Sequence, residues 1–181
     1  MYSTYQRINN ISAFVSSCLM GLLVAISVVS YIQLSVIGEP TGRLEVKPMG
    51  VQRAVSRPYS RKEQDIAFYR FDVQADLSQL FTWNTKQLFV YIIADYTNEK
   101  GISNEVVLWD RIVRRKRDAR LNLESARGRY ALRDPSLTFR NASPANFTLK
   151  YNVMPWIGGL TYGTAGQGSK PVPFARVKSS V

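Results

Sequence analysis

Tyr69-Arg-Phe-Asp-Val-Gln-Ala-Asp-Leu77 decides the fold. Its apolar residues, Tyr69, Phe71, Val73, Ala75 and Leu77, fall at every second position, with Arg70, Asp72, Gln74 and Asp76 in the gaps. A period of two sets one face on a core and the other in water, as in a half-buried strand. Downstream, Gln87-Leu-Phe-Val-Tyr-Ile-Ile-Ala-Asp-Tyr96 is apolar on both faces. Its β-branched and aromatic content predicts a central, doubly covered strand rather than a short buried helix. A turn at Asn98 to Asn104 leads into the extended run Glu105 to Val113, and shorter extended pieces follow at Ala119 to Leu123 and Tyr130 to Leu132. Clean alternation returns with Phe147, Leu149, Tyr151 and Val153 against Thr148, Lys150 and Asn152. Past Trp156, glycines at 158, 159, 163, 166 and 168 predict a loop without a regular element, before a last extended piece at Lys170 to Phe174. Upstream, an alternation starting at Leu44 is broken by Pro48, as expected of an edge strand. About seven short strands with no long amphipathic helix read as an antiparallel β-sandwich over residues 44–174.

Ahead of the strands the chain changes character. Between Arg7 and Glu39 there is no Asp, Glu, Lys or Arg, and residues 11–37 are rich in Val, Ile, Leu and Ala. About 20 apolar residues cross a bilayer as a helix, whereas the apolar core of a cleaved signal peptide runs only about 7 to 15. Residues 11–37 are therefore expected to form an uncleaved transmembrane anchor, with Gly21 and nearby Ser16, Ser17, Ser27 and Ser30 available for close helix packing although no full G-x-x-x-G is present. The flanking charges are nearly balanced. Because long domains translocate largely regardless of charge, residues 1–10 are expected as a cytosolic tail and residues 44–174 as a lumenal or exterior domain after a linker at 38–43. Residues 175–181 read as a flexible tail.

Composition removes several kinds of chemistry. The 181 residues carry 24 Lys+Arg, 13 Asp+Glu, one Cys and no His, for a net charge of +11. Without His, no Ser-His-Asp or Cys-His set can be completed within the chain, and no imidazole can ligate zinc. One cysteine allows no internal disulfide, and Cys18 lies in the anchor, where a small soft side chain packs readily. No metal or cofactor is expected.

Three stretches carry a resemblance: Phe71-Asp-Val-Gln-Ala-Asp-Leu-Ser-Gln-Leu-Phe-Thr-Trp-Asn-Thr-Lys-Gln-Leu-Phe-Val-Tyr91, Val106-Val-Leu-Trp-Asp-Arg-Ile-Val113 and Tyr151-Asn-Val-Met-Pro155. With them the chain resembles the signal peptidase complex subunit 3 family from its anchor to Phe174. The resemblance implies a single-pass protein of the endoplasmic-reticulum membrane with a cytosolic N-terminus and a lumenal, commonly glycosylated β domain. It implies as partners a separate catalytic serine-protease subunit, the other subunits of the signal peptidase complex and the membrane, and an accessory, non-catalytic role in signal-peptide cleavage. The Gly-rich segment 158–168 and the basic tail depart from the familiar pattern. The rival reading is a membrane-tethered lumenal or extracellular adhesion or receptor domain.

Individual residues support this division of labour. Asp72, Asp76, Asp95 and Asp110 are read as solvated or turn-capping groups rather than an acid–base pair. Arg111 to Arg120 holds six Lys/Arg in ten residues; behind a membrane anchor such a run meets acidic lipid headgroups, an acidic partner or solvent, and nucleic acid is not expected. Trp109 is expected in the core, while Trp83 and Trp156 border loops and are candidates for a partner interface. Asn141-Ala-Ser and Asn146-Phe-Thr match the glycan acceptor pattern, as does Asn10-Ile-Ser on the cytosolic side. Pro144 disfavours Asn141, and Asn146 falls on the polar face of its strand, so Asn146 is the better acceptor.

Overall fold

In the computed structural model, which describes residues 3–55 and 62–175, a single long helix precedes eight strands in two antiparallel sheets. The helix, α1, spans Thr4–Ile37. Ser3 caps its start, accepting from the Gln6 N–H at 3.3 Å, and Gly38, at φ 76°, ends it in a conformation that favours glycine. The helix therefore reaches back to Thr4, into the polar head expected to precede the anchor, and it is the one helix among the described residues long and apolar enough to cross a membrane. The tail expected at 175–181 lies outside the described residues apart from Ala175.

The strands are β1 (Gly42–Val55), β2 (Glu63–Asp76), β3 (Thr85–Thr97), β4 (Ser103–Val113), β5 (Arg120–Arg127), β6 (Leu132–Arg133), β7 (Asn146–Pro155) and β8 (Thr161–Gln167). One sheet runs β1-β2-β5, with β6 pairing the start of β2; the other runs β4-β3-β7-β8. The expected proline-broken edge strand is β1, whose register with β2 shifts between Lys47 and Gly50. Its outer edge is met by the end of β8 through a parallel bridge of Leu44 to Gly168.

Alternation packs the two sheets face to face. Leu44, Phe71, Val73 and Leu77 of the first sheet bury against Leu88, Val90, Ile92, Leu108, Leu149 and Val153 of the second in one core. Phe71 meets Trp109 edge-on at 5.6 Å, so Trp109 is buried as its sequence context implies. The Tyr69 hydroxyl reaches across from β2 to the Leu108 carbonyl of β4 and lies 3.0 Å from the Tyr130 carbonyl.

Two expectations need correction. The Gly-rich segment is not an irregular loop throughout: Thr161–Gln167 forms β8 and pairs with β7. Its glycines make room for neighbours, since a Cβ on Gly163 would lie 2.3 Å from the Tyr151 hydroxyl and one on Gly166 would lie 2.6 Å from the Gly42 carbonyl oxygen. And β3 is central in its sheet but covered on one face only. Leu88, Val90 and Ile92 point into the sandwich, whereas Phe89 and Tyr91, stacked at 5.3 Å, lie half-buried on the outward face. Ile93 is buried yet stands outside the core cluster.

Burial, the larger cause at both, holds the Tyr69 and Tyr96 hydroxyls above the ordinary value of 10.0, and the Asp134 carboxylate accepting from Tyr96 at 2.8 Å adds to the shift there. The folded chain thus keeps both phenols protonated after the unfolded chain has begun to release their protons. Their contribution to stability should be complete below about pH 10 and fall as the pH climbs above it. Urea unfolding of the full chain in detergent should show this alkaline decline, and the Tyr96→Phe variant should show a shallower one; an identical slope in the variant would exclude Tyr96 as a source.

Candidate functional site

The end of the sandwich beside α1 is assembled from pieces far apart in sequence. A 3₁₀ turn at Ser78–Leu80, the loop 81–84 and the loop 156–160 between β7 and β8 converge there. Asn84 ties them together: its Nδ2 donates to the Ile157 carbonyl at 2.7 Å, its Oδ1 accepts from the Ile157 N–H at 3.2 Å, and its own carbonyl accepts from the Trp156 N–H at 2.8 Å. Asn84 is 2% exposed, so this pairing satisfies an amide that would otherwise be costly to bury. The loop it holds rests on the helix. Gly158, at φ 114°, faces Ser27, where a Cβ would come within 3.2 Å of the Ser27 hydroxyl. Ser30 is buried in the same seam and Leu34 packs on the sandwich core. The small residues noted in the anchor thus include two, Ser27 and Ser30, that receive the chain's own β domain.

Trp83 and Trp156 are brought to this one end through Asn84, and both are exposed, at 58% and 67%. The Lys86 ammonium sits 5.1 Å from the centre of the Trp156 ring. Leu160 and Tyr162 are exposed beside them. The basic run comes to the same end: Val113 closes β4 opposite Leu88, a second 3₁₀ turn spans Lys116–Ala119, and the Ala119 carbonyl accepts from the Leu77 N–H at 3.0 Å next to the first turn. Arg117 pairs with Asp118 and Arg120 with Asp76, while Arg114, Arg115 and Lys116 are exposed and form no ion pair among the described residues.

A second surface is the outward face of the β4-β3-β7-β8 sheet. Phe89 lies between Ile112 and Asn152, Tyr91 between Asp110 and Lys150, and Ile93 between Val107 and Thr148. Ile112 and Val107 are exposed, so an apolar stripe crosses the sheet from β4 to β3. Asn146 begins β7 on the same face, opposite Asp95, at the end away from α1.

The four acids weighed as chemistry have structural partners or lie apart. The Ser125 N–H hydrogen bond, and then the Lys47 ammonium, hold Asp72 below the usual carboxylate range; the Ser78 hydroxyl and N–H, helped by Arg120, do the same for Asp76. Asp110 pairs with Arg129 at 3.3 Å. Asp95 is raised, by burial first and by neighbouring Glu105 second. Of the two sequons in the β domain, Asn141 is exposed at φ 57° with its Nδ2 turned to Glu99 at 3.3 Å, whereas Asn146 is exposed on the strand. Sequence reasoning passed over Asn84 and the Phe89–Tyr91 face. The signal for the second was present, since a strand apolar on both sides in a two-layer fold leaves one apolar side without a layer to cover it.

Comparison with known proteins places these features in a lineage. The profile of a family described as Signal peptidase subunit matches residues 1–177. Signal peptidase complex subunit 3 of Yarrowia lipolytica is 34% identical over 96% of this chain and 98% of its own length. The Saccharomyces cerevisiae protein of that name is 34% identical over 90% of this chain and 91% of its own, and the Homo sapiens one 36% identical over 73% of each.

Removing the Asn84 side chain should loosen the end that it ties. Asn84→Ala leaves the Ile157 N–H and carbonyl without their partner, at a cost of about 1–3 kcal/mol. Backbone hydrogen exchange at 156–159 should accelerate while that of β3 stays slow; equal acceleration in both would mean that Asn84 supports the whole domain and not this loop.

Proposed function

The chain belongs to the signal peptidase subunit family, and on that premise we propose that it is a non-catalytic accessory subunit of the endoplasmic-reticulum signal peptidase complex that holds the catalytic serine-protease subunit in place. In this reading residues 1–10 face the cytosol, α1 crosses the membrane, and the sandwich stands in the lumen, where signal peptides are removed from preproteins. The carrying observation is the apolar stripe of half-buried Phe89 and Tyr91 and exposed Ile112 and Val107 on the outward face of β3 and β4. A free two-layer domain gains nothing from leaving such residues toward water, and a rigid sheet bearing stacked aromatic rings provides the anchors that protein interfaces concentrate. Favouring the active arrangement of a partner requires only that the face bind that arrangement better than others. Trp83 and Trp156, the other partner candidates, stand at the end beside the helix and would meet a subunit only where it lies against the bilayer.

Phe89→Thr combined with Tyr91→Thr keeps strand propensity and removes both rings. Purified from membranes in mild detergent, the double variant should unfold cooperatively as the parent does yet recover at least about thirtyfold less of the catalytic subunit, the scale of a single hot spot of ~2 kcal/mol. Undiminished recovery would reject this face as the contact. The parent chain purified alone should not cleave a preprotein, and cleavage by it would reject the accessory role.

A glycan at Asn146 would test orientation and acceptor together. Asn146→Gln should abolish an endoglycosidase-sensitive mobility shift of the full chain in microsomes. A shift that survives in this variant and vanishes with Asn141→Gln would assign the glycan to the other sequon, and no shift in the parent would count against the lumenal, glycosylated reading.

A further inference from the structure

The height at which the sandwich rests on its anchor follows from the helix. The uncharged stretch begins after Arg7, so the earliest run of twenty residues able to occupy the hydrocarbon is 8–27. At 1.5 Å per residue those residues span about 30 Å, the thickness of the bilayer core. The run ends at Ser27, the residue on which Gly158 rests. Any later choice of span carries Ser27, and the loop with it, further into the membrane, and tilting the helix does the same by lengthening the span required. The loop 156–160 therefore lies no higher than the edge of the hydrocarbon.

Its chemistry suits that depth. Trp156 and Leu160 are exposed on the loop, with Tyr162 just beyond it and Trp83 on the neighbouring loop tied in by Asn84. Tryptophan and tyrosine concentrate at the headgroup level because they are apolar with one polar handle. Lys86, above the Trp156 ring, has a stem that can lie along apolar surface while its ammonium reaches the headgroups. At the same end, Arg114, Arg115 and Lys116 offer three positive charges with no ion-pair partner among the described residues. An anionic headgroup layer supplies the complementary charge.

We propose that this end of the sandwich is a membrane-docking face: the loop 156–160 inserts its apolar side chains at the headgroup–acyl boundary of the leaflet into which α1 emerges, and Arg114, Arg115 and Lys116 bind anionic lipid headgroups beside it. The inference rests on α1 crossing the bilayer and is independent of the scaffolding reading. It gives the Gly-rich loop and the basic run one shared task, setting the tilt of helix and domain together against the bilayer surface.

The test uses the full chain reconstituted without other subunits. In the Trp83→Phe variant the exposed emission comes from Trp156, with buried Trp109 as internal reference. In vesicles of phosphatidylcholine brominated near the headgroup end of the acyl chains, Trp156 should be quenched and Trp109 spared; an unquenched Trp156 overturns the proposal. Backbone hydrogen exchange at 114–119 should then be compared in phosphatidylcholine vesicles with and without phosphatidylserine. The anionic lipid should slow exchange about fivefold or more, the equivalent of the ~1 kcal/mol that one basic side chain gains at such a surface. High salt should reverse the effect. The Arg114→Gln, Arg115→Gln, Lys116→Gln triple variant should lose the lipid dependence while keeping the Trp156 quenching, which also shows that it has folded. Exchange indifferent to phosphatidylserine overturns the basic half, and protection of either segment that appears only after the catalytic subunit is added assigns the face to a protein and overturns the whole.

Discussion

The contact of Gly158 with Ser27 governs how everything else in the molecule is placed. It is a contact between one residue without a side chain and one with a very small one, and it lets a β-hairpin loop lie directly on a helix. At φ 114° the position is already hostile to any other residue, and a Cβ would press on the serine as well. Asn84 then fixes the loop to the start of β3, so the seam on the helix is continuous, through one buried amide, with an inner strand of the second sheet.

The sandwich itself is an ordinary two-layer solution with an unusual distribution of apolar residues. Its core is closed by alternation from both sheets, and the Tyr69 hydroxyl crosses between them. That much would suffice for stability. The additional apolar stripe on the outward side of β3 and β4, and the exposed aromatics near α1, are surplus to it. These surfaces lie on different parts of the domain, one on the outward face of a sheet and one at the end beside α1.

Much of this was legible in the chain. The alternation of Tyr69 to Leu77 and of Phe147 to Val153 each became a strand with the predicted face inward, because period two is a local property that needs no knowledge of partners. Pro48 marked the edge strand for the same reason. What was not legible depends on neighbours distant in sequence. Glycines at 163 and 166 looked like loop formers, yet their use is to admit Tyr151 and the Gly42 backbone, which no local pattern announces. Asn84 drew no attention in the sequence, because its partner lies 73 positions away. The doubly apolar β3 was recognised as central, but whether its second face is covered depends on how many layers the fold has, which a single strand does not encode.

The parallel bridge between Leu44 and Gly168 has a consequence for how the chain is made. Leu44 lies near the start of β1, the first strand after the anchor, and the residue bridged to it is synthesised 124 positions later. Throughout that interval the outer edge of β1 lacks even this one bridge, and the second sheet cannot reach its fourth strand until β8 has left the ribosome. Closure of the sandwich is thus a late event with a long loop to fold back, the kind of step that is slow and leaves strand edges open to the wrong partner. The register shift between Lys47 and Gly50 falls on that edge, where the N–H that Pro48 lacks makes β1 a poor template for strangers, during synthesis and afterwards alike.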